Sequence, residues 1–170
     1  MSCRQNWSTE CEKALNEQIE REYSASLSYH LLSAHFDRDD VGLNKLRDYF
    51  QKASLEEREH ADKLMAYQNM RGGRVLFNNI MPKHFTLTQV NNDILPAFVF
   101  ALDLEKSINE HLLNLHKVAS SSNDPQFSDY LEGEFLKEQV EAINEISKII
   151  SILTRFNGDQ HAMWNYVQTL

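Results

Sequence analysis

Four long stretches of this chain carry apolar residues at alternating steps of three and four, and each stripe is interrupted near its middle by polar residues of metal-ligating type. The first reads Leu15, Ile19, Glu22, Ser26, Tyr29, Ser33, Phe36, and the second Leu46, Phe50, Ala53, Glu57, His60, Leu64, Tyr67. The third reads Phe98, Ala101, Glu105, Ile108, Leu112, Leu115. The fourth reads Phe135, Gln139, Ala142, Ile146, Ile149, Leu153, Phe156. A repeat near 3.5 residues belongs to helices lying almost side by side, which predicts an all-α fold built on a four-helix bundle. With only 5 Gly and 3 Pro in 170 residues, there is little material for the turns of a many-stranded sheet.

The breaks between the stripes set the topology. The first helix is expected from Thr9 to Phe36, ending at "DRDD", and the second from near Leu43 to the glycines of "MRGGR". The third begins near Asn92, with Asn92 or Asp93 as its cap, and fades at "SSSND". Asp124 then caps a fourth helix with Pro125 at its first position, running to Phe156, and a short fifth helix follows Gly158. Short breaks make the first and last helix pairs antiparallel. The segment 72–91 shows no helical or strand period. A helix of ~28 residues is ~42 Å long, and an extended chain covers that in roughly 13 residues. The segment is therefore long enough to cross over the whole bundle and make helices two and three parallel. The chain is expected to be a single domain spanning 1–170.

The interruptions fall at one height. Glu22, Glu57, Glu105 and Gln139 each lie mid-helix, so carboxylates, the His60 imidazole, an amide and the Tyr29 hydroxyl converge inside the bundle. Buried carboxylates together either take up protons or are neutralised by cations. A Glu-x-x-His pair facing further Glu residues is the ligand set of carboxylate-bridged di-iron sites, whereas calcium or magnesium would not call for the histidine. Singly, each residue has a plainer explanation: a packed Glu stem, a core tyrosine, a structural amide. Four seams broken at one level are not explained that way. His30, His35, His84, His111, His116 and His161 show no comparable arrangement and are assigned structural or surface places.

The net charge of −8 excludes the basic surface that nucleic acid or an anionic membrane requires, and no run of about 18 apolar residues spans a bilayer. Two cysteines, Cys3 and Cys11, do not make a disulfide framework. The opening "MSCRQNWSTECEK" has no apolar core of a signal peptide, so a cytoplasmic location is expected.

The sequence resembles ferritins of the animal heavy-chain type, through "FDRDDV", "EEREHADKLM", "RGGR", "ALDLEK", "NDP" and "EQVEAI". The resemblance covers nearly the whole chain. It implies a ferritin-like four-helix bundle with a long crossover between helices two and three and a short fifth helix. It also implies a cytosolic shell of twenty-four subunits, possible co-assembly with sister chains, and a ferroxidase that oxidises Fe(II) with O2 or peroxide and stores ferric mineral. By that resemblance Glu22, Glu57 and His60 hold one iron, Glu57 bridges, and Glu105 with Tyr29 and Gln139 defines a weaker second site. Glu56, Glu59 and Asp62 resemble cavity-facing transit or nucleation acids, for which a solvated helix face is an equally good reading. Asp129 and Glu132 match an acidic entry channel. Helix four carries Gln139-x-x-Ala142 where a symmetric di-iron enzyme would repeat Glu-x-x-His, which sets a di-iron oxygenase aside. A storage subunit that does not oxidise iron is the other rival. Gly133 interrupts helix four beside the entry residues, and Arg58 stands where haem-binding relatives carry a Met ligand.

Overall fold

A computed structural model describes residues 3–85 and 93–170. Its elements are α1 (Thr9–Phe36), α2 (Asn44–Met70), α3 (Ile94–Ser121), α4 (Pro125–Leu131), a π-helical turn (Glu132–Leu136), α5 (Lys137–Arg155) and α6 (Gln160–Val167). The caps explain several of these boundaries. Ser8 accepts from the Cys11 N–H at the start of α1, and Asp124 accepts from the Phe127 N–H beside Pro125 at the start of α4. Asp93 does stand at the N-cap position of α3, but its carboxylate leaves the helix uncapped and takes the His35 Nε2 at 2.6 Å instead. The alternative cap, Asn92, lies outside the described residues.

The fourth rod is interrupted at Gly133, as the sequence suggests, and the interruption takes the form of a π turn that joins α4 to α5. Helical dihedrals persist through the junction at Leu131, Leu136 and Lys137, so the rod is widened rather than broken. A glycine lowers the preference for α geometry at that point.

Contacts at the two ends fix the direction of α3. His35, at the end of α1, pairs with Asp93 at the start of α3. At the far end, Arg71 after α2 binds Asp124 at 2.6 Å, and Ser8 meets Ser122 at 3.1 Å. Because the short 37–43 connection joins the end of α1 to the start of α2, α3 runs from the start of α2 to its end. The two are parallel. The crossover climbs α1 in register: the Arg74 N–H donates to Glu12, Leu76 N–H to Asn16, Asn78 N–H to Glu20 and Lys83 N–H to Ser28 Oγ. Side chains of α1 thus supply acceptors for backbone N–H groups along residues 74–83, which are neither helix nor strand.

The predicted seams are the core. Every seam residue of α1 and α3 is buried, and on the other two rods only Ala53, His60, Ala142 and Phe156 are partly exposed. Phe50 sits among Tyr29, Phe36, Tyr49 and Phe98, with ring centroids 5.3–6.2 Å apart. Emptying such a site costs about 3–5 kcal/mol. The short helix α6 buries Met163 and Val167, and Tyr166 packs on Phe156.

Candidate metal centre

The polar interruptions meet in the middle of the bundle. Glu22 is fully buried, and Glu57, Glu105 and Gln139 are each 5% exposed, so three carboxyl groups are nearly withdrawn from bulk water. One ligand atom from each of Glu22, Glu57 and His60 lies within 4.8 Å of the others, a spacing that can hold one metal ion. Glu57 and His60 reach it together because three residues on α2 is close to one turn, and their side chains stand 3.5 Å apart. On the opposite side Glu105 accepts a short hydrogen bond from the Tyr29 hydroxyl and another from the Gln139 amide. Gln139 also donates to the Glu105 backbone carbonyl at 3.0 Å, which fixes the amide's orientation.

Electrostatics divide the cluster. Burial pushes the Glu22 carboxyl well above its usual range, and the neighbouring Glu57 pushes it further. Burial, then Glu105, does the same to Glu57. Glu105 is raised too, chiefly by burial, but the donors Tyr29 and Gln139 oppose the rise. Burial and then Glu105 hold the Tyr29 phenol well above its usual value, so it stays a donor. Glu22 Oε1 accepts from the Gln18 amide at 2.7 Å. Its Oε2 is the one buried side-chain oxygen or nitrogen among the described residues with no hydrogen-bond partner. An orphaned carboxyl oxygen beside a second buried carboxyl group is the arrangement a cation relieves.

The structure brings together Glu22, Tyr29, Glu57, His60, Glu105 and Gln139. It leaves the other five outside, among them exposed Asp62, which accepts from the Tyr23 hydroxyl at 3.2 Å. Glu56 and Glu59 are exposed and line the mouth of a cleft that opens onto Glu57, His60 and Gln139. Asp129 and Glu132 are exposed on the fourth rod, away from the cluster, and Glu132 lies 2.7 Å from His116 Nε2. Sequence reasoning missed Glu138. Its carboxylate stands 3.1 Å from His60 Nε2, while His60 Nδ1 faces Glu57. A carboxylate on the outer ring nitrogen orients a ligating histidine. Glu138 adjoins Gln139 in sequence but sits off the apolar seam, so periodicity gave no sign of it.

A buried acid cluster at the waist of a bundle with one long crossover defines a ferritin-like protein. The chain matches the ferritin-like domain over residues 12–156, and it belongs to the ferritin family. It is 51% identical over 169 residues to a chloroplastic ferritin of Malus baccata var. xiaojinensis, covering 98% of this chain and 67% of the relative. It is 50% identical over 168 residues to chloroplastic ferritin-4 of Arabidopsis thaliana, covering 98% and 64%. Against chloroplastic ferritin-1 of Nicotiana tabacum it is 51% identical over 170 residues, covering 99% and 67%. The chain therefore spans about two thirds of the length of these relatives. Two expectations change. The relatives are plant ferritins, so the resemblance holds for the family and not for the animal heavy-chain type in particular. Their chloroplastic designation overturns the cytoplasmic location, which had rested on the missing apolar signal core. That criterion finds secretory signals; plastid-targeting segments are Ser- and Arg-rich and lack an apolar core.

Proposed function

We propose that this chain is the ferroxidase subunit of an iron-storage cage. Fe(II) is the substrate: Glu22, Glu57 and His60 Nδ1 take one ion, and Glu57 bridges to a second held by Glu105 beside Tyr29 and Gln139. O2 or peroxide takes the electrons, and the ferric product hydrolyses and passes to the cavity of a twenty-four-subunit shell. The chloroplastic designation of its relatives favours a plastid setting for that shell. Hard carboxylate oxygens favour Fe(III) over Fe(II), which assists the oxidation. Beyond the shared Glu57, only Glu105 and an amide serve the second ion, so it is held less firmly and can leave as product. Glu138 positions the His60 ring. Glu56 and Glu59, at the mouth of the cleft, suit cations in transit, and exposed Asp129 and Glu132 suit a ring of acids that concentrates cations at an entry.

One observation carries this reading: the fully buried Glu22 carboxylate with an unpartnered oxygen against Glu57. A storage subunit that only nucleates mineral needs no such arrangement in its core. Stopped-flow mixing of iron-free protein with Fe(II) in air tests the reading. The wild type should oxidise Fe(II) rapidly, and Glu57→Ala with His60→Ala should lose that phase while the shell still assembles by size exclusion. Equal rates in the two proteins would remove the assignment.

A further inference from the structure

A run of aromatic rings leads away from the acid cluster, and the reading above gives it no role. The His60 ring packs on Phe135 at 5.7 Å, and Phe135 on Tyr130 at 5.7 Å. Tyr130 lies on Tyr67 with centroids 4.1 Å apart and planes within 10°. Tyr67 also stacks with Phe127 at 5.2 Å. The rings come from α2, α4 and the π turn, so the run is a product of the tertiary fold.

The Tyr67–Tyr130 contact is the closest ring pair among the described residues. Neutral rings usually keep their centroids roughly 4.5–7 Å apart, because the negative faces of their π systems repel at closer range. Removing one electron reverses the sign: a ring bearing positive charge is attracted to its neighbour's negative face, as a cation is. A pair this close suits an oxidised state shared between its two rings. The nearby Arg71 guanidinium would oppose a positive hole, but Asp124 at 2.6 Å neutralises it. The proton has an exit. Burial holds the Tyr130 phenol up at about 12, so it is protonated at rest, and its hydroxyl donates to the Lys63 carbonyl at 3.2 Å on a half-buried ring that water can reach. The Tyr67 hydroxyl is enclosed between Gln126 and Arg71 and has no such exit.

We propose that the Tyr67–Tyr130 stack is an electron donor to the metal centre, supplying one electron when peroxide meets a site that holds a single Fe(II). This inference rests on the ferroxidase reading. Peroxide needs two electrons to leave as water. Two Fe(II) ions provide both, whereas one ion alone leaves an open-shell oxygen product. With the stack, Fe(II) gives one electron and Tyr130 gives the other together with its phenolic proton. One further proton from solvent completes two water molecules, leaving Fe(III) and a neutral tyrosyl radical shared with Tyr67. The weaker second site makes single occupancy a regular state, which is when such a donor is needed.

The test uses iron-free assembled protein. Loaded with one Fe(II) per chain, mixed with hydrogen peroxide and freeze-quenched, the wild type should show a tyrosyl signal by electron paramagnetic resonance. Tyr130→Phe should lose that signal and release more spin-trapped hydroxyl radical, while oxidation of two Fe(II) per chain by O2 proceeds at the wild-type rate. Photo-oxidation of the iron-free protein with a ruthenium sensitiser and persulfate should place the radical on the same pair, and Tyr67→Phe should shorten its lifetime. A wild type that oxidises Fe(II) but shows no Tyr130-dependent radical by either route overturns the inference. A wild type that forms the radical photochemically but oxidises no Fe(II) instead overturns the ferroxidase reading and the donor role with it.

Discussion

Glu22→Gln should make the metal-free protein more stable and its metal-bound form less so. The substitution keeps the side-chain shape and leaves Oε1 to accept from Gln18. It turns the unpartnered Oε2 into an NH2 group beside Glu57. A hydrogen bond to a charged group contributes about 1.5–3 kcal/mol, and an unsatisfied buried polar atom costs a further 1–3 kcal/mol or so. Part of that gain already exists wherever Glu22 carries a proton, since burial pushes its carboxyl up. A net gain of roughly 2–3 kcal/mol is expected, which for a chain of this size is an increase in Tm of about 4–12 °C. Calorimetry on metal-free protein near neutral pH reads it directly. The same experiment with Fe(II) under anaerobic conditions should invert the order. A ligand at a thousand times its Kd stabilises the wild type by about 4.1 kcal/mol, more than the gap, and the variant should gain little. A metal-free Glu22→Gln protein that melts at or below the wild-type temperature would refute the claim that this carboxyl is a cost the fold carries for a cation.

Three further outcomes follow from the same contacts. Glu22 and Glu57 have folded pKa values raised above the ordinary 4.5, so between the two values the folded chain holds more protons and stability falls as pH rises. The melting-temperature gap between Glu22→Gln/Glu57→Gln and metal-free wild type should therefore widen as pH is raised from acid to neutral, and a constant gap would count against it. In Gly73→Ala the new Cβ would stand 2.2 Å from Gln68 Oε1 and 2.8 Å from Trp7 Nε1, displacing the 3.0 Å Trp7–Gln68 hydrogen bond. A loss of about 1–3 kcal/mol in denaturant unfolding is expected. Asp124→Asn should cost about 3–5 kcal/mol in the same measurement, because it leaves the Arg71 guanidinium, 13% exposed, without its charged partner.

Most of the fold was legible in the sequence because its information is periodic. A seam residue is buried whichever neighbour it meets, so Leu15 to Phe36 or Phe98 to Leu115 could be assigned to the core before any contact was known. The cluster was legible for a related reason: Glu22, Glu57 and Glu105 are costly in an apolar stripe, and a costly residue at a regular position stands out. The features that escaped are those in which one residue meets another far along the chain without disturbing a period. The pairing of His35 with Asp93, of Arg71 with Asp124 and of His60 with Glu138 each joins residues more than fifty positions apart. The π turn escaped because Gly133 signals weak α preference but not the direction in which the backbone will yield.

The escaped contacts also explain why the acid cluster can persist without its cation. Three buried carboxyls would spread the bundle if its rods were free to part. His35–Asp93 ties α1 to α3 at one end, and Arg71–Asp124 ties α2 to α4 at the other. The crossover binds α1 along much of its length between them. With both ends fastened, repulsion at the waist cannot be relieved by separating helices. It is left to proton uptake or to a cation, and that constraint holds Glu22, Glu57 and His60 close enough together to share one.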